Sequence, residues 1–338
     1  YMIKSFFCTK KWALWAWGGL AFIMILMWAQ VSLTVMINEW YGGFYDLMQK
    51  SANYVNNPQV GIDLFYQKLI SFEIADKSFV MLAMPFMFLQ TFTDFFTRWY
   101  GLRWREALTF HYMPQWTNVE EEIEGASQRI QEDIKRFILI LENLGVNLIR
   151  TVMTLIAFIP LLHGLSEKVV IPYFGYFESS LVWIAFGISI GGLIITWIVG
   201  SKLPGLEYNN QKVEAAFRKE LVFAEDDKKN YAQPDTILEL FTGIKFNYQR
   251  LFWHYGYTEG WINLYNQFMV VVPYLLVGSG LFTKLITLGV VVQVSNAFGK
   301  VHEGLAFFLF RWVMITELRS IYKRLSEFED NLERFKRV

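Results

Sequence analysis

The sequence predicts an all-α membrane protein: six long transmembrane helices whose ends on one side continue as cytoplasmic helical extensions. Three observations carry that prediction. Of 338 residues, 54% are hydrophobic and 18% aromatic, and mean hydropathy is positive, a balance that favours lipid over water as solvent for much of the chain. Several apolar stretches reach the ~20 residues that cross a bilayer core. The two longest connections keep a helical spacing of apolar and charged residues instead of breaking into loop composition.

The six spans are placed in order. The first covers about residues 12–37, an apolar run without proline. The second, about 78–97, contains Pro85 and ends in a Phe-rich turn. The third runs over about 137–162 and the fourth over about 180–200. The fifth, about 261–282, holds Pro273. The sixth, about 285–315, is the least uniform, because Asn296, Lys300, His302 and Glu303 interrupt it. The connections at about 98–136 and 201–260 read as helical extensions, and no linker or separate soluble domain is visible, so residues 1–338 read as one transmembrane domain.

Charge orients the spans. One set of connections carries most of the basic residues, among them Lys10, Lys11, Arg98, Arg103, Arg105, Arg129, Lys202, Lys212 and Arg218. The opposite set holds Lys50, Lys68, Lys77, Lys168 and Lys284. The positive-inside rule then places both termini in the cytoplasm, as an even number of spans requires. The first apolar run is too long for a cleavable signal peptide and has no small-residue cleavage pattern.

Composition also excludes. Formal net charge is zero, which gives no electrostatic reason for a nucleic-acid partner. The single cysteine, Cys8, rules out an internal disulfide and a multi-cysteine metal site. No HExxH pattern and no GxSxG elbow occurs, so neither a metal site nor a catalytic residue is expected and the chain does not read as an enzyme. His111, His163 and His254 read as surface or interface residues. No GxxxxGK[ST] phosphate loop is present; GSKLPG near Gly200 lacks its spacing. ATP hydrolysis by this chain alone is therefore not expected, no cofactor is implied, and energy must come from a separate ATPase or an ion gradient.

The carboxylates carry the functional argument. In residues 203–227, LPGLEYNNQKVEAAFRKELVFAEDD, Glu207, Glu214 and Glu225 recur at intervals of seven and eleven and return to nearly one helical face. Glu142 lies in FILILENLG, just inside the third span, where an unpaired charge is costly. A glutamate ordinarily titrates near 4.3, and burial raises that by up to several units. Such a group is charged in a wet cavity and neutral in a closed one, as ion-coupled transport needs. Glu124 lies eighteen residues before Glu142, on the same face if the helix continues past Gly125, while Glu132 is about 80° off that stripe.

Ordinary roles compete with these. Glu214 and Arg218, four apart, can form a surface ion pair worth a few tenths of a kcal/mol, and Arg218 interrupts the acidic stripe. Glu120, Glu121, Glu122, Glu220, Asp226 and Asp227 read first as solvated charge. Glu142, by its depth, and Glu214 and Glu225 read first as functional. In the sixth span, Lys300 and Glu303 are three apart and able to pair, and His302 adds a group that titrates near neutrality. A transport role and a helix-packing role stand equal there. Arg150 and Arg311 face a cavity or snorkel. Trp40, Tyr41, Phe44 and Tyr45 are candidates for the outer mouth, with Gly42-Gly43 as a hinge or helix break.

The layout of short outer loops and long inner helical extensions resembles the membrane domain of an ABC exporter-type half-transporter. More specifically, five stretches in order resemble the bacterial SbmA/BacA family of peptide-antibiotic transporters: NEWYGGFYDLMQ at 38–49, EGASQRIQEDIKRFILILENLG at 124–145, TLIAFIP at 154–160, KLPGLEYNNQKVEAAFRKELVFAEDD at 202–227 and ITELRSIYKRLSEFE at 315–329. Some members carry additional N-terminal hydrophobic helices, and the chain resembles a core-only member without them.

The resemblance implies an ABC-exporter-like fold in a domain-swapped-type homodimer of the bacterial inner membrane. It also implies proton-gradient-driven import of peptides and peptide-like antibiotics, with the lipid bilayer and peptide substrates as partners and no ATPase in the chain. It carries proton coupling onto the acidic positions Glu132, Glu142, Glu207, Glu214, Glu220 and Glu225. Two other readings stay open. EGASQRIQED and VEAAFRKE also resemble segments of ABC-type permeases, whose cargo would be acyl-lipid or cobalamin-like and whose power comes from a separate ATPase chain. The third is a membrane receptor that binds peptide without moving it.

Overall fold

The computed structural model describes every residue except 1, 74–76, 120–122, 124, 172–174, 228 and 335–338. Among the described residues the fold is helical, with a single isolated bridge between Ile171 and Gly175. Nine longer helices are α1 Ala13–Gln49, α2 Pro58–Ile70, α3 Phe79–Thr117, α4 Ile134–Ser166, α5 Ser180–Gly200, α6 Leu203–Asp226, α7 Pro234–Val277, α8 Leu288–Phe310 and α9 Trp312–Arg334. The chain forms two compact units, residues 1–186 with 273–338, and residues 187–272.

Among the described residues, five helical stretches are long and apolar enough to cross a membrane: Ala13–Gln49, Phe79–Thr117, Ala126–Ser166, Ser180–Asp226 and Pro234–Phe282. The shortest has 37 residues, roughly 55 Å at 1.5 Å per residue, against a bilayer core of about 30 Å. Each therefore continues well beyond a span, including α1, which runs on through residues 38–49 of the first expected connection. Large apolar side chains such as Trp28, Phe88, Trp183 and Trp197 are exposed on their surfaces, which suits lipid contact. The sixth expected span corresponds to α8, 23 residues carrying Lys300 and Glu303, which is not among the five.

Two expectations are corrected. No turn follows Phe95 and Phe96: α3 runs unbroken to Thr117, since WYGLRWREAL continues a helical pattern without a breaker. Gly42 and Gly43 make no break, because both lie inside α1. Gly42 instead permits close packing in the first unit. A Cβ there would lie 2.3 Å from Gln293 Nε2, and one on Gly289 would lie 2.1 Å from the Gly42 carbonyl oxygen. The α8 N-terminus is capped from α1: Gly289 N donates to Asp46 Oδ1 at 2.8 Å and Leu288 N to Gln49 Oε1 at 2.8 Å. These contacts satisfy orphan donors of the first turn.

Among the described residues, two apolar centres hold the first unit together. Phe6, Trp12, Ala16, Ile23, Met27, Tyr100 and Ala107 join α1 to α3. Polar ties reinforce the pair: Tyr100 OH donates to the Ala16 carbonyl at 2.9 Å, and buried Gln30 donates to Thr93 Oγ1 at 2.5 Å and to the Leu89 carbonyl at 3.1 Å. The second centre seats α9, whose Ile321, Leu325, Phe328 and Leu332 fall on one face at spacings of four, three and four and pack with Leu108, Tyr112, Ile134 and Phe137.

A buried ion network locks that seat. Arg129–Asp133 forms one π-helical turn ahead of α4, and Asp133 is 2% exposed. Arg324 reaches across from α9 with two bonds to Asp133, 2.8 and 3.1 Å, and Arg129 adds a third at 2.6 Å. Burial alone would raise the Asp133 carboxyl, but these arginine bonds and charges outweigh it and hold it below the ordinary range. The same bonds raise Arg324. Tyr112 OH donates to Glu329 nearby.

In the second unit, α6 turns Leu206, Asn210 and Ala224 inward. Phe217 of α6 meets Phe241 of α7 with ring centroids 6.2 Å apart. Trp261 Nε1 donates to Thr196 Oγ1 at 2.9 Å, and Tyr265 OH to the Ile188 carbonyl at 3.1 Å. Gly192 admits the Tyr265 ring, which a Cβ would meet at 2.1 Å.

Candidate functional site: a polar cavity between α3 and α4

Two facing helices build the site in the first unit. From α3, Asp94, Thr97 and Arg98 recur at helical spacing. From α4, Leu139, Glu142, Asn143, Val146, Asn147 and Arg150 do the same. Together they line a cavity of about 530 Å³. A second cavity of about 310 Å³, lined by Ile23, Tyr100, Ile138, Ile149 and other apolar groups, shares Thr97, Glu142 and Val146 as walls. Glu142 thus stands where a polar space meets an apolar one.

Glu142 is half-buried. Among the described residues it has no hydrogen-bond or ion-pair partner. Gly101 makes room for it, since a Cβ there would lie 2.7 Å from Glu142 Oε2 and 3.2 Å from Ile138 Cγ2. Arg150 lies 3.8 Å from Asp94, charge to charge but beyond hydrogen-bond reach. Its buried Nε and Nη2 make no hydrogen bond. Asn147 Nδ2 donates to the Asn143 carbonyl at 2.8 Å and to Asn143 Oδ1 at 3.1 Å. The arrangement can hold or release a proton at Glu142 beside two guanidinium groups.

Glu142 and Arg150 are the two sequence-derived candidates that this cavity brings together. Asp94, Arg98, Asn143 and Asn147 were missed. Asp94 had a usable signal, an acid within the apolar run FLQTFTDFFT of the second span. Arg98, by sequence alone, is one basic residue among those that orient the spans.

The other candidates lie elsewhere. Glu132 sits in the π-helical turn, about half exposed and 3.5 Å from Arg136. Gly125 adopts φ 72° and the helix starts at Ala126, so the stripe back from Glu142 does not continue past that glycine; Glu124 itself lies outside the described residues, as do Glu120, Glu121 and Glu122. Lys300 and Glu303 pair at 3.0 Å and line a third cavity of about 350 Å³ with Asn38, Tyr41, Ser295 and Asn296. His302 is buried and does not line it. Trp40 is buried too, its Nε1 donating to the Lys68 carbonyl at 2.9 Å and its ring stacked on Phe44.

In the second unit, Glu207, Glu214 and Glu225 share α6. Their stripe is turned about 90° from the packed face of Leu206, Asn210 and Ala224. Glu207 accepts a 2.5 Å bond from Tyr255. Glu214 is half-buried and Glu225 exposed, and no ion pair forms between Glu214 and Arg218. Glu220 accepts from Ala232 N at 2.8 Å, which holds the α6–α7 turn where Ala232 takes φ 53°. Among the described residues no group of three or more His, Cys, Asp or Glu side chains gathers to hold a metal.

Comparison with known proteins adds context to this geometry. Residues 9–333 match the profile of the SbmA/BacA-like family. Over 332 residues the chain is 25% identical to the inner membrane ABC transporter ATP-binding protein YddA of Escherichia coli (strain K12), covering 92% of this chain and 56% of that protein. It is 23% identical over 250 residues to an uncharacterized ABC transporter ATP-binding protein of Synechocystis, covering 69% of this chain and 36% of that one. It is also 23% identical over 266 residues to the chloroplastic ABC transporter D family member 2 of Arabidopsis thaliana, covering 74% and 36%. The chain spans about half the length, or less, of these relatives.

Proposed function

This chain belongs to the SbmA/BacA-like family of multi-pass membrane transporters, and on that premise we propose that it imports peptides and peptide-like antibiotics across the bacterial inner membrane, driven by the proton gradient. Both termini face the cytoplasm, α8 supplies a sixth span, and two copies form a homodimer with an ABC-exporter-like membrane fold. The observation that carries the reading is the half-buried carboxylate of Glu142, which makes no hydrogen bond among the described residues and feels the charge of Arg98, at the junction of a polar and an apolar cavity. Such a group changes its proton affinity as its surroundings open or close, which couples protonation to alternating access. Glu207 and Glu214 are further carboxylates able to bind protons or cationic cargo, while Glu220 is committed to its turn.

The test is uptake of a fluorescent cationic, proline-rich peptide into proteoliposomes with an imposed inward proton gradient and no ATP. Concentrative uptake abolished by a protonophore supports the proposal. Wild-type rate and gradient dependence in correctly inserted Glu142→Gln would sink the residue assignment.

A second reading has its own support, because the relatives described above are named as ABC transporter proteins. On it, this chain serves a transporter powered by ATP, with acyl-lipid or cobalamin-like cargo. Uptake that requires ATP and a co-purifying ATPase, and ignores the proton gradient, would favour it.

A further inference from the structure

The cavity between α3 and α4 contains more unused hydrogen-bonding capacity than proton binding at Glu142 requires. Arg150 lines the cavity, and its Nε and Nη2, the two donors of one guanidinium edge, are buried and without a hydrogen-bond partner. That edge fits a carboxylate side-on with two parallel bonds. Asp94, the nearest carboxylate, stays 3.8 Å away and does not take it. Arg98 lines the same cavity, where its charge acts on Glu142, and among the described residues it makes no hydrogen bond.

The asparagines complement the arginines. Asn147 spends its Nδ2 on Asn143, which leaves Asn147 Oδ1 as an acceptor and Asn143 Nδ2 as a donor. Asn147 Oδ1 can accept the N–H of a peptide's last amide, and Asn143 Nδ2 can donate to a neighbouring carboxylate or carbonyl oxygen. The adjoining apolar cavity, sharing Thr97, Glu142 and Val146 as walls, offers space for an apolar side chain next to that amide.

We infer that this cavity is a carboxylate-binding subsite, in which Arg98 and Arg150 hold the terminal carboxylate of a peptide that ends in an apolar residue, Asn147 accepts its last amide N–H, Asn143 donates to a neighbouring oxygen, and the adjoining cavity takes its side chain. The inference rests on the peptide reading above and deepens it. The charged groups facing the cavity are Asp94 and Arg98 from α3 and Glu142 and Arg150 from α4. Two carboxylates there balance two guanidiniums. Protonation of either carboxylate leaves the cavity net positive, so carboxylate binding and proton uptake favour each other.

A fluorescein-labelled peptide ending in leucine, as free acid and as C-terminal amide, tests this by anisotropy on the purified full chain in mild detergent. The free acid is expected to bind about tenfold or more tighter than the amide, the scale of a charge-assisted bond pair, and its advantage grows as pH falls. Arg150→Gln and Arg98→Gln reduce that preference. Arg150→Lys keeps the charge but loses the fork, so it separates lost recognition from lost folding. Decanoate as competitor distinguishes the carboxylate's source: displacement equal to that by unlabelled peptide acid keeps the subsite but assigns it to acyl carboxylates, overturning the peptide assignment.

Equal affinity for acid and amide overturns the subsite, even if proton-driven uptake is intact. Acid-selective binding without proton-driven uptake keeps the subsite and removes the importer reading instead.

Discussion

Gly101 lies directly beneath the carboxylate of Glu142, close enough that a Cβ on the glycine would stand 2.7 Å from Glu142 Oε2. The α3 backbone thus positions a titratable group of α4, although the two residues are 41 apart in sequence. Gly101→Ala displaces the end of a flexible side chain, so thermal stability is expected to fall by about 1 kcal/mol or less. Proton-driven uptake is expected to drop several-fold at unchanged membrane insertion. Unaltered uptake and gradient dependence would show that the exact seat of Glu142 is immaterial.

The α1–α8 crossing makes a sharper distinction. A Cβ on Gly289 would meet the Gly42 carbonyl oxygen at 2.1 Å, whereas one on Gly42 meets the end of the Gln293 side chain. Backbone cannot move aside as a side chain can. Gly289→Ala is expected to cost about 3 kcal/mol and Gly42→Ala about 1 kcal/mol. Thermal unfolding of both variants in one detergent would reveal the order, and a reversed order would contradict this packing.

Asp133 is the most committed carboxylate in the described structure, with three arginine hydrogen bonds at 2% exposure. Removing one partner of a buried pair strands the other, so Asp133→Asn or Arg324→Ala is expected to cost on the order of 3 kcal/mol. Because the folded carboxyl is held below its ordinary range, this stabilisation is complete above the unfolded value near about 3.9. It is lost as pH falls through the lower folded value. Melting temperature against pH in wild type and Asp133→Asn should converge at the acid end; parallel curves would refute the linkage.

Lys300–Glu303 calls for the opposite expectation. Both side chains are exposed, at 41% and 69%, and line a cavity of about 350 Å³; water in that cavity screens the pair. Glu303→Gln is expected to change stability by less than about 1 kcal/mol. A much larger loss, read by thermal unfolding, would mean that the pair supports the α8 packing.

Much of the helix pattern was legible in the sequence because apolar run length and periodicity are local properties. The long extensions were legible for the same reason: residues 98–117 and 203–226 keep a helical spacing of apolar positions. Glu142 stood out because a charge inside an apolar run has few innocent explanations. Gly42-Gly43 misled, because glycine permits either a break or a close approach, and the sequence does not reveal the opposing Gln293.

The site was less legible. Asp94 and Arg98 sit one turn apart on α3, yet nothing in their spacing specifies Glu142 and Arg150 as neighbours. The acidic stripe of α6 was correct as angular geometry, but its separation from the packed face depended on which residues α6 buries against other elements. Asp133 lies in the charged run RIQEDIKR, where nothing singles it out, and its role arises from Arg324, 191 residues away.

The sequence by itself determined the solvent, the helical class and the resemblance to a transporter family, since composition, run length and ordered motifs lie along one chain. Only the tertiary structure decided which charges are paired, which stand alone and which cavities they line. Those properties depend on distances of a few ångströms between residues remote in sequence, and Coulombic and hydrogen-bond energies are set by those distances.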